Sequence, residues 1–373
     1  MNKLKVMTVF GTRPEAIKMA PLVKGIERDK DLESIVCVTA QHREMLDQVL
    51  DLFYITPDYD LNIMKSGQTI GEITSRVLLG FDEVLKEVKP DIVLVHGDTT
   101  TTFSASLSAF YNQVKVGHVE AGLRSGNKYS PYPEEMNRSL VGKIADLHFS
   151  PTIGNKENLL KEGMLEDTIF ITGNTVIDAL FEVVREDYEF ETKKLQEIDF
   201  ARENVILLTT HRRENLGRPM EDIFDAVNII TNKYPDIQFV FPVHLNPKVR
   251  QLADSKLGKN EAVHMIEPLE YAEFANLIGR VQIIMTDSGG VQEEAPAFGK
   301  PVLVLRTETE RPEAVDAGTV EIVGVDTNRI VEAVSRLMDD KNHYDKMANA
   351  VNPYGDGKAV IRTIEAIKEY FGK

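Results

Sequence analysis

Ile92–Asp98 reads IVLVHGD and Lys115–Gly122 reads KVGHVEAG, two apolar runs that end at the carboxylates Asp98 and Glu120. Between them a threonine-rich turn leads into a helical pattern from Thr101 to Tyr111. The runs are continuous rather than alternating, which is what strands covered on both faces require. A strand, helix and strand of this length form the crossover unit of a parallel sheet. The same grammar returns later in the chain, where IIMTDSGG (283–290) leads through a helix at Val291–Phe298 to KPVLVLR (300–306).

Reading outward from these two units, strand patterns fall at residues 4–10, 34–40, 147–151, 168–173, 204–210, 238–243 and 262–268. Helical patterns occupy 15–27, 72–88, 134–145, 222–233 and 329–338. The alternation predicts an α/β protein of two Rossmann-like, doubly wound parallel-sheet domains facing across a cleft. The boundary is expected near Gly173–Ile177, giving an N-terminal domain over 1–173 and a C-terminal domain over 174–356. A helix in 357–373 is expected to pack back on the first domain.

The chain has 373 residues, enough for about two domains. Lys and Arg number 43 against 59 Asp and Glu, a formal charge of −16, which disfavours nucleic acid or an anionic membrane as a partner held by bulk charge. An anionic ligand would need a local pocket. Cys37 is the single cysteine, so an intrachain disulfide and a thiolate metal cluster are both excluded. No export signal or membrane-spanning run is read, and a soluble cytoplasmic protein is expected.

In open parallel sheets, ligands bind beyond the C-terminal ends of the strands. GTRPEAIK (11–18) follows the first strand, with Gly11 for a tight turn and Arg13 and Lys18 able to converge on an anionic group. It is not GxGxxG, so dinucleotide binding is poorly supported. TDSGGVQEEAP (286–296) follows a strand and opens a helix. There Ser288, Gly289 and Gly290 can offer N–H groups and a hydroxyl to a phosphate, and Glu294 can accept from a ribose diol. Asp98, Glu120 and Glu134, with His211, Arg212 and Arg213 in TTHRRE, supply acids and bases at strand ends. Asp58 and Asp60 form a DxD pair that reads as a polar turn, and His42 reads as a cap or solvent-facing residue. His244 is a secondary candidate.

At these motifs the chain resembles the non-hydrolysing UDP-N-acetylglucosamine 2-epimerases. FGTRPEAIKMAPL, TAQHREML, HGDTTTT, VEAGLRS, YPEEMNR, TGNTVIDA, THRRENLG, FPVHLNP, TDSGGVQEEAP, GKPVLVLR and TERPEAV match that family's pattern in order. The likeness spans essentially the whole chain, and its specificity lies in the combination.

The resemblance implies a GT-B-like arrangement with the sugar nucleotide in the interdomain cleft. Ser288, Gly289 and Gly290 would hold the diphosphate and Glu294 the ribose, with Arg13, Lys18 and Arg311 as further contacts and Phe274 near the uracil. His211 would lie close to the reacting sugar or the diphosphate, while Asp98, Glu120 and Glu134 supply the proton chemistry. The implied reaction converts UDP-GlcNAc to UDP-ManNAc through UDP elimination, 2-acetamidoglucal and re-addition, with no cofactor and no metal. A homodimer is implied as well. Activation by a second UDP-GlcNAc would involve Gln41, Gln68 and Glu134, although Gly67 stands where some members carry an arginine. The rival readings are a GT-B glycosyltransferase, a hydrolysing epimerase, and a non-catalytic nucleotide-sugar sensor. Extra carboxylates at the rim argue against the sensor, because a binder of an anion gains nothing from added negative charge.

Overall fold

The computed structural model describes residues 3–41, 43–65, 67–309 and 311–373, so His42 lies outside the described residues. The chain divides into two compact units, one built from residues 1–182 and 354–373 and the other from Val183–Pro353.

The first unit carries β1 (Leu4–Phe10), β2 (Leu32–Val38), β3 (Tyr59–Asp60), β4 (Ile92–His96), β5 (Lys115–Val119), β6 (Leu147–Ser150) and β7 (Ile169–Ile171). They form one parallel sheet in the order β3-β2-β1-β4-β5-β6-β7. The second unit carries β8 (Asn204–Thr209), β9 (Ile237–Pro242), β10 (Val263–Ile266), β11 (Ile283–Thr286), β12 (Val302–Val304) and β13 (Val320–Ile322). These run in the order β10-β9-β8-β11-β12-β13, again with parallel pairing. The α/β, parallel-sheet expectation therefore holds in both units.

The apolar runs form strands because both faces are covered. Every residue of β4 is buried, and Val6, Met7, Val9 and Phe10 of β1 have no exposed surface. Phe81 and Phe149 fill the first core, and Phe224, Phe239 and Phe241 the second. Two short strands depart from the sequence reading. Asp58 and Asp60 do not sit in a free turn: Tyr59–Asp60 pairs with Cys37–Val38 at the sheet edge. Asp58 accepts from the Val36 N–H at 2.8 Å, and Asp60 pairs with Arg43 at 2.6 Å. β13 was likewise absent from the strand patterns.

Helix starts are set by side-chain caps. Thr12 and Glu15 close a capping box on the helix Arg13–Arg28, and Thr69 with Glu72 does the same for Ile70–Val88. In the first unit the helix Ala359–Tyr370 packs on Arg13–Arg28, and Lys368 reaches Asp29 at 3.2 Å and Asp31 at 2.8 Å.

Strand order reverses between β1 and β4 in the first sheet, and between β8 and β11 in the second. Such switch points open a crevice beyond the strand ends. The residues singled out by sequence that follow β1 and β4 (Arg13, Lys18, Asp98), or β8 and β11 (His211, Ser288, Gly289, Gly290), stand at these two places.

Candidate active site

At the first switch point the backbone bends sharply. Gly97 has φ +64°, and Glu120, which directly follows β5, has φ +61°. A left-handed glutamate costs on the order of 1–2 kcal/mol, and such residues persist where neighbours hold them. Here the holding groups are explicit. The Glu120 carboxylate forms an ion pair with Lys18, accepts from Asn174 Nδ2 at 3.0 Å, and lies 3.6 Å from His96 Nε2. Burial alone would raise its pKa, but Lys18 and His96 outweigh that and hold the carboxyl well below its usual range.

Asp98 has the opposite balance. Burial raises its pKa, the Arg138 guanidinium at 3.1 Å only moderates this, and the charges of Glu120 and Glu134 add to the rise. The helix Glu134–Ile144 clamps Asp98 twice, since Asn137 Nδ2 donates to its carbonyl at 2.9 Å and Arg138 pairs with its carboxylate. Glu135 is consumed structurally, accepting from the Ser125 and Gly126 N–H groups at 3.0 Å and pairing with Arg138. Glu134, one residue earlier, stays half-buried and close enough to Asp98 to affect its charge. Asp98, Glu120 and Glu134 are thus brought together, with one carboxyl biased towards holding a proton and one held ionised.

Behind them His118 Nε2 donates to the Gly97 carbonyl at 2.7 Å and fixes the turn that carries Asp98. Burial pushes this imidazole down to about 3, so it is neutral. Gly11 is needed for space: a methyl group there would lie 1.9 Å from Thr39 Oγ1. Arg13 begins its helix half-buried, and Lys18 is committed to Glu120. Gln41 Oε1 accepts from Thr101 Oγ1 at 3.4 Å. Gln68 turns inward on its own loop, donating to the Ile63 carbonyl at 2.7 Å and accepting from the Lys65 N–H at 2.8 Å. No hydrogen bond among the described residues joins Gln68 to Gln41 or Glu134.

The second switch point is cationic. Ser288 is the N-cap of Gly289–Glu294 and makes no side-chain cap bond. A methyl group on Gly289 would come within 4.0 Å of the terminal guanidinium nitrogens of both Arg212 and Arg311, so two cations overhang this turn. Arg311 is braced by buried Glu293. The Glu294 carboxylate folds back over Gly290, 3.6 Å from where a methyl would stand. Phe274 is half-buried on the helix Tyr271–Arg280. His211 follows β8 and stacks on His244, with ring centres 5.7 Å apart and planes 18° from parallel.

Sequence reasoning missed His96, Arg138, Asn174 and Asp287 as parts of these clusters. Each lies within a quoted motif, but their partners lie 24, 40, 54 and 76 positions away in the chain. Only strand order brings them together. Among the described residues no group of three or more His, Cys, Asp or Glu is placed to hold a metal ion, and no helix is long and apolar enough to cross a membrane.

Fold and site define a class: a Rossmann-like α/β enzyme with an acid–base cluster on one sheet and a cation-flanked glycine turn on the other. The family model described as UDP-N-acetylglucosamine 2-epimerase matches residues 24–368, and the chain belongs to that family. The UDP-N-acetylglucosamine 2-epimerase of Bacillus subtilis is 58% identical over 372 residues, covering 100% of this chain and 97% of the relative. That of Escherichia coli K12 is 56% identical, covering 98% of each. The crystal structure of UDP-GlcNAc 2-epimerase from Neisseria meningitidis bound to UDP-GlcNAc superimposes with a TM-score of 0.85 at 51% identity, covering 98% of this chain and 100% of that one.

Proposed function

We propose that the protein interconverts UDP-GlcNAc and UDP-ManNAc by inversion at C2, retaining UDP through the turnover. The observation that carries this reading is the presence of two matched chemistries at the two switch points, proton-handling carboxyls on one and an anion-holding turn on the other. The UDP-GlcNAc complex of the Neisseria relative supports the choice of substrate.

The C2–H of the sugar has no adjacent carbonyl and is not acidic, so its removal must be coupled to loss of a stabilised leaving group. A base takes the C2 proton, the C–H electron pair becomes the C1=C2 bond of 2-acetamidoglucal, and the C1–O bond breaks with its pair leaving on UDP. In the return half, a β-phosphate oxygen of UDP re-adds to C1 and a proton reaches C2 from the opposite face. Asp98, whose pKa is raised by burial, holds a proton more readily than an ordinary aspartate and is suited to exchanging one with the sugar. Glu120 is held ionised by Lys18 and serves the field of the site, while Glu134 and His211 are available for the second face. Ser288, Gly289, Gly290, Arg311 and Arg13 stabilise the departing UDP, Glu294 takes the ribose, and Phe274 lies beside the uracil. Lys18 reaches the substrate from its position beside Glu120.

The protein acts as a homodimer in the cytoplasm, and its product feeds cell-surface polysaccharide synthesis. Support for the dimer is an exposed apolar face on the adjoining helices Ile70–Val88 and Thr100–Tyr111, where Leu79, Phe110 and Tyr111 are 60–68% exposed. Activation by a second UDP-GlcNAc at Gln41, Gln68 and Glu134 would require the Gln68 amide to leave its loop.

Proton NMR of the protein with UDP-GlcNAc in D2O tests the reaction. The expected result is UDP-ManNAc carrying deuterium at C2. Free ManNAc with equimolar UDP would point to a hydrolysing enzyme instead, and unchanged substrate despite tight binding would favour a sensor.

A further inference from the structure

Asp287 directly follows β11 and has no exposed surface. Its Oδ2 accepts four hydrogen bonds, from Thr210 Oγ1 at 2.9 Å, the His211 N–H at 2.9 Å, the Arg212 N–H at 3.0 Å and Asn215 Nδ2 at 3.0 Å. That oxygen anchors the entire turn after β8. The other oxygen, Oδ1, lies 3.2 Å from His211 Nδ1, within ion-pair reach, and has no hydrogen-bond partner among the described residues. The His211 imidazole is the group placed against this unpartnered acceptor, and a small turn of the ring lets an Nδ1–H donate to it.

The imidazole stacked on His211 is fixed the other way. The backbone N–H of Asn246 donates to His244 Nδ1 at 3.1 Å. Neutral His244 therefore carries its proton on Nε2, whereas an Nδ1–H donated to Asp287 leaves His211 with an open Nε2. The stacked pair presents one N–H and one lone pair side by side. The groups facing His211 are Asp287 from the turn after β11, His244 from the turn after β9, and the adjoining Arg212.

We propose that Asp287 is the positioning residue that fixes the tautomer of His211 and confines its proton exchange to Nε2, while His244 beside it is held as the complementary donor. The proposal rests on the reading of His211 as a proton-handling group. In neutral His211 the Nε2 lone pair accepts a proton, and the resulting imidazolium is stabilised by the Asp287 carboxylate without a proton passing to Asp287. Burial pushes Asp287 up, but its bonds from His211 and the turn N–H groups more than offset this and keep it ionised.

The test uses the whole protein labelled with 15N in histidine, at a pH of about 8.5, where imidazoles are neutral. The His211 signals are assigned by their loss in His211→Gln. Multiple-bond 1H–15N spectra of the unsubstituted protein are expected to show His211 protonated on Nδ1, and an Nε2–H tautomer overturns the proposal. In Asp287→Asn the four donors keep the amide oxygen in their cage, so the NH2 faces Nδ1 and the tautomer reverses. The expected result is an Nε2–H signal for His211 and at least a hundredfold lower kcat, with the KM for UDP-GlcNAc within about threefold. An unchanged tautomer with kcat within threefold overturns it. If Asp287→Asn does not fold, the spectrum of the unsubstituted protein decides alone. His211→Gln at full kcat would defeat the catalytic reading of His211 and leave the tautomer assignment standing, so the two failures are separable.

Discussion

The two switch points share a topology and differ in what fills the helix start beside them. After β1, the N-terminus of Arg13–Arg28 is closed by the protein's own carboxylate. Glu15, which is buried, accepts from the Gly11 N–H at 3.1 Å and the Thr12 N–H at 2.8 Å, and its other oxygen takes the Thr99 and Thr102 hydroxyls at 2.6 and 3.1 Å. After β11, the turn at Ser288 carries no such side-chain cap and is flanked by Arg212 and Arg311. The same fold offers a helix start in each unit; the first is capped internally by Glu15, and the second is the one proposed above to hold the diphosphate. On the proposed function, the first unit's carboxyls serve proton chemistry, while Arg212 and Arg311 beside the second turn serve the diphosphate.

The largest effect should come from removing the titrating group of the first unit. Asp98→Asn is expected to lower kcat by about a thousandfold, within the usual range for a lost general acid or base. It should leave UDP affinity within threefold, because Asp98 is not among the groups assigned to UDP. Steady-state kinetics with a UDP titration checks both halves, and a matching loss in UDP affinity would break the division.

Acid should separate the units next. His118 and His148 face each other across β5 and β6 in the first unit, and burial depresses them to about 3 and about 4. A depressed histidine binds fewer protons folded than unfolded, so stability is complete above pH 6.5 and falls as pH drops towards the folded values. At pH 5 this amounts to about 2 kcal/mol for each histidine. In the second unit, Asp287 is depressed as a carboxylate, so its contribution persists above its ordinary value of 3.8 and is lost only below it. His264 there is also lowered, but it is only half-buried. Hydrogen exchange at pH 7.5 and 5 should show protection lost mainly in the first sheet, and His118→Asn should flatten that dependence.

Much of this was legible in the sequence, for identifiable reasons. β1, β4, β8 and β11 are central strands whose two covered faces demand unbroken apolar runs, and chemistry placed just after them is readable without coordinates. β3 and β13 span only two and three residues at sheet edges, and DYD and VEI carry no such run. The pairings of Lys18 with Glu120, Arg138 with Asp98, and Asp287 with His211 follow from strand order. No local spacing encodes that order.

Glycine substitution gives the smallest and most local contrast. Gly11→Ala would force a contact with Thr39 at 1.9 Å and should destabilise the first unit by roughly 1–3 kcal/mol. Gly290→Ala meets only the movable end of Glu294 at 3.6 Å, so it should leave the thermal midpoint nearly unchanged and weaken UDP binding instead. Thermal unfolding of both variants would distinguish a glycine kept for packing from one kept for a ligand.

The division of labour between the units is tested most directly by calorimetric titration of UDP into Arg311→Ala and Asp98→Asn side by side. Arg311→Ala is expected to weaken UDP at least tenfold, consistent with loss of a charge-assisted contact of about 1.5–3 kcal/mol, while Asp98→Asn binds UDP like the unsubstituted protein. Normal UDP affinity in Arg311→Ala together with lost affinity in Asp98→Asn would contradict it.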